Sequence, residues 1–452
     1  MIVSLMLKQR LSAGALMTVL LLSATQVSAI GLLQAYESAL QNDATYRSAV
    51  HDNDAGKEYA VLGRSNLLPS LSASYSASKN RTDITAPNFL GKKATTHPEY
   101  RSSSGGVSLR QPLFNLDALA RYRQGLVQTS YSEALFAARL QDLVVRLVGA
   151  YIDAKYEEDQ LALAMAQRDT FGEQKRVNAR MFEKGEGTKT DMLETQAKFD
   201  LAEAQLIESQ DNLATARNML ASIVGSDITS LDSLTDDFHV KPMEPAAFDD
   251  WKVIALENNT ELRTQRYTVE ASRLEVHKNL AGHAPRVDLF ANYSKNDSES
   301  INTYNQESTV RSIGFQLSIP LYSGGSVSAA SRQAEANYEK AKSELEGKTK
   351  QVLVEVRKQY NLTQSGVAKI DALVKSVNSA TQLVEATRQS MKGGVRINLD
   401  LLNAQQQLFS ARRDLALARY SYLLSYLRLR NASGILGADD LQIVAGYFVT
   451  SQ

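Results

Sequence analysis

Residues 391–405 read Met391-Lys-Gly-Gly-Val-Arg-Ile-Asn-Leu-Asp-Leu-Leu-Asn-Ala-Gln405, and residues 182–196 read Phe182-Glu-Lys-Gly-Glu-Gly-Thr-Lys-Thr-Asp-Met-Leu-Glu-Thr-Gln196. One pattern is written twice. A glycine ends one helix, where positive φ is often needed. Thr190 or Asn398 then caps the next helix. Each stretch is therefore read as the tip of a helical hairpin, with Gly185, Gly187 and Lys189 on one turn and Lys392, Gly393 and Gly394 on the other.

The flanks of both tips are helical and long. No proline occurs from Leu113 to Lys241, or from Leu321 to the end. Ala118 to Phe182 and Val327 to Met391 each span on the order of 100 Å as helix. Phe136, Leu140, Val144, Leu147 and Tyr151 form a coiled-coil-like seam. Return helices are expected over Thr190 to Ile223 and Leu399 to Ser433, with shorter helices near 33–66 and 251–281. Ala, Gln, Glu, Lys and Arg dominate these stretches and favour helix. A hairpin of this length has little core of its own, so it must pack sideways on other helices.

The repeat extends beyond the tips. Leu40-Gln-Asn-Asp-Ala-Thr-Tyr-Arg47 matches Leu256-Glu-Asn-Asn-Thr-Glu-Leu-Arg263, and Gly106, Leu109, Pro112 and Leu113 match Gly314, Leu317, Pro320 and Leu321. Asp191, Leu193, Gln196 and Gly225 fall on Asp400, Leu402, Gln405 and Gly434. The expected organisation is a first repeat over 30–225, a linker over 226–249, a second repeat over 250–434 and a C-terminal segment over 435–452. The linker and the C-terminal segment are expected to wrap the middle of the helical body.

Strands lie between Pro69 and Pro112 and between Pro285 and Pro320, the four prolines that recur in the two halves; proline marks boundaries there. Period-2 alternation places strands at 70–80, 104–114, 286–296 and 310–321. Leu71, Ala73, Tyr75 and Ala77 alternate with serines, and Ile313, Phe315, Leu317, Ile319 and Leu321 share one face. One apolar face and one Ser/Gly/Gln face suit a barrel with lipid outside and water inside. Four strands cannot close a barrel, since about eight are the minimum. Three copies would supply twelve.

Composition agrees with an exported chain. Formal net charge is zero and cysteine is absent, which excludes disulfides, thiolate metal sites and a cysteine nucleophile. No basic excess points to nucleic acid. Lys8 and Arg10, the apolar run Leu11 to Ala24 and Val27-Ser28-Ala29 read as a signal peptide over 1–29. Beyond Ala29 no apolar run is long enough for a spanning helix, so any membrane crossing must use strands. The five histidines show no H-E-x-x-H spacing, and there is no phosphate loop or Gly-x-Ser-x-Gly. Neither an enzyme nor a cofactor is expected. A periplasmic adaptor would have one hairpin, not two in a repeated chain.

The tip motifs, the strand pairs and their order resemble the TolC family of outer-membrane export channels. The segments Ala35-Tyr-Glu-Ser-Ala-Leu, Phe182 to Asp191, Asn302-Thr-Tyr-Asn-Gln, Pro320-Leu-Tyr-Ser-Gly-Gly and Val444-Ala-Gly-Tyr-Phe resemble its type I secretion branch, which serves exporters of proteases, lipases and haemophores. The resemblance implies an α+β membrane protein: a homotrimer whose shared β-barrel sits in the outer membrane and whose helical tunnel reaches into the periplasm. It implies a membrane-fusion adaptor and an inner-membrane ABC transporter as partners, and an exported protein as cargo. The outer-membrane duct of a multidrug efflux pump is the alternative. Carried over, the gate and selectivity residues are Arg396, Asp400, Asn403, Thr190 and Asp191, and the tip glycines and lysines dock the adaptor. The chain departs from the family pattern where a gate tyrosine aligns with Met391 and a ring aspartate with Asn403.

Overall fold

The computed structural model describes residues 29–235, 237–240, 242–299 and 305–449. The expected signal peptide up to residue 28, most of the Asn302-to-Gln306 segment and the last three residues lie outside these. Helices α1 (Leu32–Asn42) and α2 (Ala44–Ser65) open the fold. They lead into β1 (Ser70–Arg81), β2 (Ile84–Pro87), β3 (Lys93–Thr96) and β4 (Glu99–Phe114). Then come α3 (Leu116–Glu183), α4 (Lys189–Val224) and a short strand β5 (Ser233–Leu234). The second half repeats the order with α5 (Phe248–Asn258), α6 (Thr260–Leu280), β6 (Arg286–Ser298), β7 (Gln306–Ser318), α7 (Ser326–Lys392) and α8 (Asn398–Ala432). Helix α9 (Ala438–Ala445) and strand β8 (Phe448–Val449) close the chain.

The long helices α3 and α7 have 68 and 67 residues, each about 100 Å of helix. Asn115 starts α3 by accepting the Ala118 amide at 3.1 Å. No helix among the described residues is long and apolar enough to cross a membrane.

The short helices break where the repeated motif predicted only continuous helical regions. Asp43 ends α1 and caps α2 through the Tyr46 amide, and Asn259 does the same between α5 and α6 through the Leu262 amide. Each break docks against the end of its own half. Asn42 Nδ2 donates to the Val224 carbonyl at 2.9 Å, and Asn259 Nδ2 to the Ala432 carbonyl at 2.8 Å. Gly225 and Gly434 stand at these contacts with φ of +83° and +74°. A Cβ on Gly434 would lie 2.2 Å from the Asn258 carbonyl oxygen.

One four-stranded antiparallel sheet has the order β1-β4-β6-β7. The register gathers Leu71, Ala73 and Tyr75 with Leu109 and Val107, then Ala291 and Tyr293, then Ile313, Phe315 and Leu317 on one face. Ser72, Ser74, Ser108, Asn292 and Ser312 share the other face, where Ser72 and Ser108 hydrogen-bond at 2.7 Å. The apolar face stands uncovered: Tyr75 and Ile313 are each 77% exposed in the single chain. Several boundaries differ from the sequence reading: β4 begins at Glu99 rather than 104, and β7 at Gln306 rather than 310. Strand β7 ends at Ser318, because Pro320 offers no amide for the ladder. The expected first-half loop contains the β2–β3 hairpin, where Thr85 faces Thr95.

The main core lies midway along α3, where Leu143, Leu147 and Tyr151 meet α1, the end of α4, α8 and the C-terminal elements. A belt surrounds it. Strand β5 pairs with β8, Ile30 N–H donates to the Ser230 carbonyl at 3.1 Å, and the Tyr151 hydroxyl donates to the Ile30 carbonyl at 3.0 Å. A second core gathers Trp251, Leu262, Val356, Tyr360 and Leu429.

Candidate functional site at the hairpin tips

The tips lie farthest along α3 and α7 from the sheet, and both turns have the same backbone chemistry. Gly185 and Gly394 take φ of +73° and +74°, the left-handed conformation that glycine adopts without a Cβ penalty. The Glu186 amide bonds back to the Met181 carbonyl at 2.9 Å, and the Val395 amide to the Ser390 carbonyl at 3.0 Å. These bonds satisfy carbonyls the helix ends leave open. Gly187 and Gly393 need no positive φ. Lys189 begins α4 and Lys392 ends α7, both exposed.

The caps correct the sequence reading. The cap of α4 is Thr188, not Thr190. Its hydroxyl accepts the Asp191 amide at 3.1 Å, while Asp191 accepts the Thr188 amide at 3.2 Å. Only Thr188 has an acidic residue three positions on, the capping-box spacing; Thr190 is exposed on the following turn. In the second tip the cap position falls on Ile397, which has no side-chain acceptor. Asn398 lies one residue inside α8 and turns inward instead.

Arg396 and Asp400 pair within one turn at 3.4 Å, with side chains 60% and 36% exposed. Asn403 is exposed one turn further on. Thus the structure brings Arg396 to Asp400 and ties Asp191 into its own cap, while Thr190 and Asn403 face open space. Met391, at the position where the resemblance expects a tyrosine, packs with Val384, Leu401, Ala404 and Leu408.

The contact between the two hairpins of one chain was not anticipated. Asn178 Nδ2 donates to Thr195 Oγ1 at 2.7 Å, and Asn398 Nδ2 donates to the same oxygen at 3.1 Å. Thr195 in turn donates to the Asp191 carbonyl at 2.8 Å, and Gln174 Nε2 donates to Asn398 Oδ1 at 3.0 Å. Asn178, Thr195 and Asn398 are 6%, 0% and 8% exposed. Above them Phe171 packs on Phe409, with ring centres 6.3 Å apart. Among the described residues, no group of three or more His, Cys, Asp or Glu is placed to hold a metal ion.

The outer membrane efflux protein family matches residues 35–226 and 251–435. The alkaline protease secretion protein AprF of Pseudomonas aeruginosa is 43% identical over 435 residues, covering 96% of this chain and 90% of that protein. The proteases secretion protein PrtF of Dickeya chrysanthemi is 40% identical over 446 residues, covering 97% and 96%. Among solved structures, the Campylobacter jejuni CmeC outer membrane channel has the same fold, with a TM-score of 0.77 at 16% identity over 92% of this chain and 90% of that one.

Proposed function

Because the chain belongs to the outer membrane efflux protein family, we propose that it is the outer-membrane duct of a type I secretion system, carrying an exported protein from an inner-membrane ABC transporter and its periplasmic adaptor to the cell exterior. The observation that carries this reading is the likeness, over nearly the whole chain, to two proteins named for protease secretion. It favours protein export over a multidrug duct.

The architecture supplies the means. The apolar sheet face belongs against lipid and the serine face against water. A four-stranded sheet with this exposed face cannot close alone, so three copies share one barrel. The paired hairpins then line a tunnel that narrows at the tips. There Arg396, Asp400, Thr190, Asp191 and Asn403 surround the constriction, and Gly185, Gly187, Lys189, Lys392, Gly393 and Gly394 present the docking surface. The Arg396–Asp400 pair is well suited to a gate, because exposed charges exchange partners for water at little cost. The duct performs no catalysis. Energy for transport is supplied by the inner-membrane partner.

The test places a photo-cross-linking residue at Lys189 or Lys392 in cells. Capture of an adaptor that co-purifies with an ABC transporter, together with loss of a secreted protein on deletion of this chain, is the expected outcome. Capture of a proton-driven drug pump, with secretion intact, would refute the protein-export reading.

A further inference from the structure

The first turns of α3, where it leaves β4, carry two stripes of different character. Leu116, Leu119, Arg123 and Leu126 recur at spacings of three and four, and so do Asp117, Arg121, Gln124 and Gln128. Helical periodicity puts the two stripes on nearly opposite sides of the helix. The polar stripe is paired within the chain. Asp117 meets Arg121 at 2.9 Å, and Gln124 Nε2 donates to Glu275 Oε2 of α6 at 2.8 Å. The other stripe is leucine around a lone cation: Arg123 is exposed and has no ion-pair partner among the described residues.

The last turns of α6 turn this second stripe into a cleft. Leu274, His277 and Leu280 close about 310 Å³ against Leu116, Leu119 and Arg123. Leu274 is buried in its floor, while Leu116 and Leu280 stay exposed in the single chain. Polarity is ordered along the cleft. Leu116 opens α3 just after β4, and Leu280 ends α6 just before β6, so the apolar end adjoins the sheet. Arg123 lies two turns further from the sheet than Leu116, about 10 Å along the axis.

We propose that this cleft holds one anionic phospholipid, its acyl chain against the leucines and its phosphate on Arg123 and His277. Three features select that occupant. The cleft adjoins the central strands, whose uncovered face carries Leu109, Ala291 and Tyr293, so an acyl chain lying on that face runs into it. The cation stands at the end away from the sheet, where the phosphate of a lipid in the periplasmic leaflet falls, and a guanidinium fork matches phosphate oxygens. No further copy of the chain covers the cleft. The sheet order β1-β4-β6-β7 hangs α3 and α6 from the two central strands, with α2 and α7 packed outside them. A copy that extends the sheet at β1 or β7 packs beside α2 or α7 instead. A lipid held here shields leucines that would otherwise meet water and fixes the height of the sheet in the leaflet. This inference rests on the reading that the apolar sheet face meets lipid, and is independent of the cargo.

The test uses the full-length protein in mild detergent with phosphatidylglycerol carrying a photoactivatable acyl chain, and maps the labelled peptides by mass spectrometry. Label in 116–126 and 274–284 should saturate at a single lipid per chain, while label on the sheet face around Tyr75 and Ile313 should keep rising. Unlabelled phosphatidylglycerol should displace the cleft label, and diacylglycerol, which lacks the phosphate, should need roughly tenfold more. The double variant Arg123→Gln/His277→Gln should weaken cleft labelling by a similar factor, roughly tenfold. Leu280→Gln, at an exposed position, should also weaken it, and neither variant should alter label on the sheet. Sheet labelling with no saturable label in the cleft would overturn the lipid site and leave the membrane reading standing. Cleft labelling that both variants leave unchanged would overturn it as well. If neither the apolar sheet face nor the cleft is labelled, the site and the membrane reading fall together.

Discussion

Thr188 and Asp191 cap each other at the start of α4, each accepting the other's backbone amide, whereas the matching residues of the second hairpin, Ile397 and Asp400, do not. Asp400 takes Arg396 instead. The two tips thus have the same turn but different fastenings: one is closed on itself, the other leans on its neighbour through Asn398.

Thr188→Ala should therefore loosen the first turn of α4 by about 1 kcal/mol, the usual worth of an N-cap. Ile397→Thr should tighten the first turn of α8 by a similar amount and draw Asp400 away from Arg396. Amide exchange at residues 189–193 and 398–402 checks both. Unchanged protection in Ile397→Thr would mean that the backbone there does not accept a cap.

Arg396→Ala should leave stability almost untouched, since exposed ion pairs contribute at most about 1 kcal/mol. In the proposed assembled pore conductance should rise, and the difference should shrink as salt screens the remaining charges. A large fall in the denaturation midpoint would show that the pair is structural.

Asp43 reports on the belt through pH. Burial pushes its carboxyl up, but Arg146, donating at 2.9 Å to each oxygen, and the Tyr46 amide outweigh it and hold it below the usual carboxylate range. A depressed folded-state pKa gives stability that is fully present above the unfolded value, about 3.9. It is lost as pH falls through the folded one. Asp43→Asn keeps the cap acceptor and loses the charge. It should cost about 1–2 kcal/mol at neutral pH, with the gap closing in acid. Denaturant unfolding at several pH values reads the difference, and a gap that persists in strong acid would exclude the ionic cause.

The single tryptophan gives a local probe. Trp251 is fully buried and its indole N–H donates to the Pro245 carbonyl at 2.7 Å. Trp251→Phe should destabilise by about 1–3 kcal/mol, from the stranded carbonyl and lost volume. In the unaltered protein, red-shifted emission should accompany melting of the Trp251 cluster. A midpoint in the variant within error of the parent would refute this.

The helices and principal strands were legible because their signals are local. The proline-free runs and the serine alternation in 70–78 each state a backbone period. Other features needed finer rules. The Thr188 cap was visible as Thr-x-x-Asp but was eclipsed by Thr190, two residues on. The breaks at Asp43 and Asn259 lay inside a motif recognised as repeated, whose capping chemistry went unread. The β2–β3 hairpin has short, polar strands with little periodicity. The Asn178–Thr195–Asn398 network joins residues far apart in sequence, so only the folded chain reveals it. The proposed roles of Arg396 and Asp400 depend on neighbouring copies, which no single chain displays.

The belt around the middle of the molecule also sets an order of events. Each long hairpin is local and can zip up as soon as its own residues are available. The belt is not local: Asn42 waits for Val224, and Ser233 waits for Val449. Loop-closure entropy makes such contacts late. Pulsed exchange during refolding should show protection in α3–α4 and α7–α8 before residues 30–43 and 231–234. A chain lacking Phe448 and Val449 would then be a molecule with both arms formed and no clasp at the waist, a species that must be held apart from its fellows until the final residues arrive.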